Sequence, residues 1–330
     1  MTQTRQDWIS AHLFYHQDVR VVLTECVRPL IAALRAEQSV EGFFFIRYWQ
    51  GGPHIRLRLL PANQVSREFI QQRLEQHIND FLATYPARQQ MQEGEYRQMA
   101  ALFSHFEYGH PDDTPFYPNN SLQYIPYVPE YHRYGGRAAL PAVERHFMES
   151  SELVFDLLAQ DMTHNQRTGL ALSMMLSGLR QYTDELNDLT KLFEGYFHWS
   201  SPVFGDQQVS YVEQFERQYQ KQSQRLQKLV RQLLSCEWDD RSQEDSFLAA
   251  WARSLRTLKQ DLCQQVSLTD FPHGLFEEPE VALIETRSQR LPGILLACLH
   301  MHNNRLGISL FDEAYLAFLL YKSLAALQSA

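Results

Sequence analysis

An α+β fold is the expectation for this sequence, on three observations. Residues 43–59 combine a strand-type run, a glycine-proline turn and a strictly alternating run, which together read as a β-hairpin. Residues 8–15 mix aromatic and β-favouring side chains and read as a further strand of the same sheet, and from Pro141 onward apolar residues recur at helical spacing. The sequence thus predicts an N-terminal, mainly antiparallel sheet region followed by a predominantly helical half, as a single domain over 1–330 with a sheet-bearing part at 1–140 and a helical part at 141–330.

The opening strand (WISAHLFY) leads into a helix over residues 21–36, where Leu23, Val27, Leu30, Ile31 and Leu34 are spaced by three and four. Next comes the hairpin, FFFIRYWQGGPHIRLRL. Its period of two places His54, Arg56 and Arg58 on one face of the second strand and Ile55, Leu57 and Leu59 on the other. Two neighbouring arginines repel and are poor strand residues, so a protein carboxylate or an anionic ligand offsets them; a solvated face with surface ion pairs is the alternative.

Helices are expected over 66–85, with Phe69, Ile70, Leu74, Ile78, Phe81 and Leu82 in phase, and over 95–106. Proline, asparagine and tyrosine then mark 108–129 as an ordered loop whose aromatics, Phe116, Tyr117, Tyr124 and Tyr127, need a surface to pack on. The remaining helices are expected over 141–160, 167–199 with a break near Thr183, 208–236, 242–265, 292–306 and 311–327. Residues 218–232 (QYQKQSQRLQKLVRQ) are polar on most faces and read as an exposed helix.

The 330 residues, 44% hydrophobic and 21% charged, suffice for a large packed core. A net charge of -9 and a pI near 5.8 argue against broad binding to nucleic acid or anionic membranes. Clustered arginines in so acidic a chain point to a local site. Cys26, Cys236, Cys263 and Cys298 are far apart without metal-ligand spacing and read as reduced, buried and inert, and no metal site is expected. With no signal-type segment and no apolar run of membrane-spanning length, a cytoplasmic location is expected.

Two further constellations carry chemistry. In VPEYHRYGG, Glu130 and Arg133 are three apart and Gly135-Gly136 permits a sharp turn or a close backbone approach; Glu130 is either the partner of Arg56 or Arg58 or half of a local ion pair. In CLHMHNNRLG, His300 and Asn304 lie one helical turn apart, while His302 projects nearly opposite, near Arg305. A histidine suits proton transfer near neutral pH, with the amide one turn away fixing its tautomer; a satisfied core histidine is the alternative.

Taken in order, FFFIRYWQGGPHIRLRL, PEYHRYGG followed by AVERHFMESSELV, and LHMHNNRLG resemble the C-terminal elimination domain of class I lantibiotic dehydratases, also found as a free-standing thiopeptide-type bacteriocin biosynthesis protein. WISAHLFYH resembles that family's opening strand, and residues 61–124 are the least family-like part. The resemblance implies β-elimination of glutamate from glutamylated Ser or Thr of a precursor peptide, giving dehydroalanine or dehydrobutyrine, with no cofactor.

By the same resemblance, Arg58, Arg133 and His300 are catalytic and Arg56 and Glu130 bind substrate, the arginines holding glutamate and the enolate oxygen and His300 moving a proton. These groups are expected around a single cavity. The implied partners are the precursor peptide and a separate glutamyl-tRNA-dependent glutamylating enzyme, whose larger region this chain lacks; direct nucleic-acid or membrane contact is not expected, and a homodimer is left open. Two alternatives stand beside elimination: a [4+2] cycloaddition that builds a pyridine from two dehydroalanines, and a non-catalytic subunit that binds the precursor.

Overall fold

The computed structural model describes residues 8–108, 113–236, 246–265 and 287–329. They form an α+β fold of two compact units, one of Met1–Val128 with Val154–Gln160 and one of Pro129–Leu153 with Asp161–Ala330.

The first unit is built on a four-stranded antiparallel sheet. Its strands are β1 (Ile9–Phe14), β2 (Val40–Tyr48), β3 (His54–Pro61) and β4 (Ser121–Tyr124), in the order β2-β3-β1-β4. β3 therefore lies between β1 and β2, with Ala11 and Phe45 both opposite Leu57, and Ser10 and Phe44 both opposite Arg58. Because partners in register share a face, Ile9, Ala11, Leu13, Phe43, Phe45, Ile55, Leu57 and Leu59 make one apolar layer, all of it buried. Phe155 closes that layer, its ring stacked at 5.1 Å on both Phe43 and Phe45.

The expected helix over 21–36 is found in two parts, a π-helical stretch Val22–Val27 and α1 (Arg28–Ala36). Pro29 explains the change of register. It has no N–H to give to the carbonyl of Glu25, and upstream the Arg28 N–H reaches back five residues to Leu23. Helix α2 (Arg67–Thr84) starts at Ser66, whose hydroxyl accepts from the Phe69 N–H, and α3 (Glu93–Tyr108) follows.

The hairpin turn needs its glycines. Gly51 has φ +81°, a Cβ there would sit 2.8 Å from the Tyr117 ring, its carbonyl accepts from the Tyr117 N–H, and its own N–H donates to the Tyr96 hydroxyl oxygen, at 2.8 Å each. The stretch expected as a loop contains β4, which pairs with β1. Asn119 and Asn120 tie the turn before β4 to the backbone of Ala87, so four residues suffice for an edge strand that the proline-rich composition hid. Phe116, Tyr117 and Tyr127 do find surfaces, on Tyr96, Phe14 and Phe44 respectively; Tyr124 is exposed.

The second unit is helical: α4 (Leu140–Leu158, its last turns counted with the sheet), α5 (His164–Leu179), α6 (Leu186–Ser200), a 3-10 turn at Ser201–Gln207, α7 (Gln208–Ser235), α8 (Phe247–Gln265), α9 (Arg287–Leu306) and α10 (Leu310–Gln328). The expected break near Thr183 falls between α5 and α6, and the first residues of the expected helix over 242–265 lie outside the described residues. Helix α7 is not wholly exposed: Phe215, Tyr219, Leu226, Val230 and Leu233 form a buried stripe, and the Tyr219 hydroxyl donates to the carbonyl of Lys322 on α10. Of the cysteines, Cys26 and Cys298 are buried, with burial pushing each thiol up to about 12, whereas Cys236 and Cys263 are half-buried.

Replacing Phe155 by Ala removes the ring sandwiched on the sheet, and about 3 to 5 kcal/mol of stability should be lost with it. Denaturant unfolding of the variant checks this; an unchanged midpoint would contradict the packing described.

Candidate active site

The second face of the sheet carries the basic groups. Register places Ser10, Arg58 and Phe44 in one row, His12, Arg56 and Ile46 in the next, and Phe14, His54 and Tyr48 in the third. This face is not a solvated one, since His12, His54 and Arg58 are 2%, 1% and 5% exposed.

His54 is fixed on both sides. Its Nδ1 lies 2.8 Å from the Gly52 carbonyl, which only accepts, so Nδ1 carries the proton and Nε2 accepts from Arg56 Nε at 3.3 Å. Arg56 also donates to Gln50 Oε1 at 3.0 Å and stacks 3.5 Å over the Tyr48 ring. Burial, with Arg56 next, lowers the His54 imidazole to about 3, which keeps it a neutral positioning group for Arg56.

Arg58 has weaker company: a 3.4 Å bond to the Leu57 carbonyl, the Tyr127 ring at 5.2 Å, and an Nε without a partner. Among the described residues no carboxylate pairs with it. Burial and then Arg56 pull its guanidinium down from its ordinary range to about 9.

In the helical unit, His300 on α9 is partly exposed and its Nδ1 lies 2.8 Å from Glu313 Oε2 on α10. The same oxygen accepts from the Tyr196 hydroxyl at 2.9 Å, and Glu313 is 1% exposed. A buried carboxylate thus holds the Nδ1 proton of His300 and makes Nε2 the basic nitrogen, a role the sequence reading gave to Asn304. Burial, then Glu313, pushes the Tyr196 phenol well up, so it stays a donor. Trp199 meets the His300 ring edge-on at 5.3 Å, as the aromatic run at the end of α6 permits.

His302 is a core residue. It is fully buried, its ring packs 4.1 Å from Trp251, and Nδ1 is 2.8 Å from Ser150 Oγ. Arg305 shares that side of α9, over the Phe147 ring at 4.6 Å.

Glu130 and Arg133 form a local ion pair of 3.8 Å, both partly exposed. Gly135 and Gly136 have φ +86°, and a Cβ on Gly135 would stand 2.9 Å from Ala139 and 3.1 Å from Ile294, so the glycine pair serves both a turn and a close approach to α9.

The structure therefore brings Arg56 and Arg58 together on the sheet, and Glu130 with Arg133 in the helical unit, where His300 has a carboxylate of its own. Sequence reasoning missed Glu313, signalled by a second acid directly after the Ser309–Asp312 capping box at the head of a mostly apolar helix, and His12, signalled by polar residues at alternate positions of β1. Among the described residues no group of three or more His, Cys, Asp or Glu is arranged to hold a metal, and no helix is long and apolar enough to cross a membrane. A cavity of about 620 Å³ in the sheet unit, lined among others by Tyr15, Asp18, Arg20, Glu25 and Leu158, includes none of the expected site residues.

Residues 8–324 match the family described as "Lantibiotic biosynthesis dehydratase C-term", and the chain belongs to it. Solved structures with the same fold include the "Pyridine synthase, TbtD, from thiomuracin biosynthesis" (16% identity, 98% of this chain and 99% of that one, TM-score 0.74). TsrL is similar over 98% of this chain and 96% of its own (17% identity, TM-score 0.68). The tRNA dependent lantibiotic dehydratase MibB from Microbispora sp. 107891 covers all of this chain, which spans 29% of MibB (17% identity, TM-score 0.56). No curated protein matches.

Burial holds the imidazoles of His54 and His146 at about 3 and also lowers those of His12 and His302. Their folded values lie below the unfolded 6.5, so below that pH the unfolded chain binds more protons than the folded one. Stability is then full above pH 6.5 and falls by about 1.4 kcal/mol per buried histidine for each unit below it. Denaturant unfolding between pH 7.5 and 5.5 should show that decline; a flat profile would contradict the burial of neutral imidazoles.

Proposed function

We propose that the protein removes glutamate by β-elimination from glutamylated Ser or Thr residues of a ribosomally made precursor peptide, leaving dehydroalanine or dehydrobutyrine. The observation that carries this reading is the buried Arg58, which has no carboxylate partner among the described residues and sits beside Arg56. Such a pair of planar guanidiniums suits a glutamyl carboxylate, with each charge-assisted hydrogen bond worth roughly 1.5 to 3 kcal/mol.

His300 supplies the base. Its Nε2 takes the α-proton of the esterified residue, the freed electron pair forms the Cα=Cβ bond, the Cβ–O bond breaks, and glutamate departs as its carboxylate. Arg133, oriented by Glu130, offers a cation to the developing enolate oxygen. Glu313 is a positioning residue, because it acts through His300. The glutamylating step belongs to a separate partner that uses glutamyl-tRNA, so the protein alone leaves an unmodified precursor unchanged.

A second reading, cyclisation of two dehydroalanines to a pyridine, is favoured by the whole-length likeness to a pyridine synthase. Mass spectrometry after mixing with a synthetic glutamylated peptide, and separately with a bis-dehydroalanine peptide, separates the two. Elimination predicts glutamate release from the first and no reaction of the second; the reverse result would overturn it. His300→Ala should slow glutamate release by about a hundredfold or more, and an unchanged rate would remove His300 from the mechanism.

A further inference from the structure

The sheet carries one imidazole that the reaction described above does not use. His12 lies at the centre of β1, opposite Arg56 on β3 and opposite Gln123 on β4. It is 2% exposed, and neither of its ring nitrogens has a hydrogen-bond partner among the described residues. Leaving a buried donor and acceptor without hydrogen bonds is unfavourable, so such groups call for a ligand or another partner.

The neighbours of His12 decide the sign of that ligand. Its ring stacks on His54 at 4.9 Å and 19°, and the charged groups acting on it are Arg58 and Arg56. His54 has already committed both nitrogens, to Gly52 and to Arg56. From β4 comes only the neutral Gln123, from β1 itself the apolar Phe14, and Tyr127 stays with Arg58. Between two guanidiniums and another imidazole, with burial adding to their effect, His12 is held neutral and keeps a single N–H to give. His16, the other imidazole whose ring nitrogens lack partners, is pressed against the Gly52 turn, where a Cβ would lie 3.0 Å from its Nε2.

We infer that His12 is a third carboxylate-binding group of the sheet face, donating its N–H to the same carboxylate that Arg56 and Arg58 hold. The inference rests on the reading that this face binds a glutamyl carboxylate and adds to it a neutral donor of fixed direction. The two arginines supply charge; the imidazole supplies a contact that a strand residue cannot shift without moving the sheet. An anion seated there satisfies a nitrogen of His12 and offsets the repulsion between the arginines at once.

The test is calorimetric titration of the full chain with free glutamate, the product of the proposed reaction. His12→Leu should weaken binding at least about tenfold, and His12→Asn, which keeps a donor, should stay within about threefold of wild type. So that a fold disturbed by the leucine is told apart from a lost contact, the wild-type protein labelled with 15N-histidine supplies a second measurement. The His12 imidazole signals should move when glutamate saturates the protein. Wild-type affinity in His12→Leu, or imidazole signals that glutamate leaves in place, would overturn the inference while the carboxylate-binding reading stands. Absence of glutamate binding to the wild type would overturn both. Glutamate bound through His12, with no release from a glutamylated peptide, would uphold the inference and defeat elimination.

Discussion

A guanidinium kept out of water, next to a second one and without a protein carboxylate among the described residues, is the constraint on which this account turns. Burial of Arg58 opposes its own charge, and Arg56 adds to the opposition. The cost is built in by strand register: β3 is an inner strand, and its alternate positions set His54, Arg56 and Arg58 among the rows that β1 and β2 contribute to the same face. One face of the strand then finishes an aromatic and aliphatic layer closed by Phe155, and the other is obliged to bury arginine and histidine. Keeping such groups buried costs stability, a cost that an anion bound under the proposed function offsets.

The helical unit solves a different problem with similar means. Two histidines two positions apart on α9 meet opposite environments. His302 is absorbed by Ser150 and Trp251, whereas His300 is left partly exposed and is oriented by a buried glutamate. Glu313 is tolerable in the core because its Oε2 accepts both from the Tyr196 hydroxyl and from His300. The arrangement fixes the tautomer of His300 and so decides which nitrogen is basic.

Much of the fold was legible in the sequence because it rests on period alone. The hairpin, its two unlike faces and the long helices all follow from spacings of two and of three to four. The π-helical stretch before Pro29 and the four-residue strand β4 were hidden, since each depends on where a missing N–H or an asparagine side chain finds its partner. For the proposed site, residue type singles out Arg56, Arg58 and the first histidine of HMH as candidates. Glu313 and His12 escaped because their meaning lies in what they face across helix and strand: a glutamate on an apolar helix and a histidine in an opening strand say little until register is known.

The most direct measurement is thermal unfolding of wild type and Arg58→Met with increasing free glutamate. If the buried guanidinium awaits a carboxylate, the methionine variant melts above the wild type without ligand, having shed an ill-compensated charge, and glutamate raises the melting temperature of the wild type alone. A variant that melts lower without ligand and still gains stability from glutamate would contradict the account.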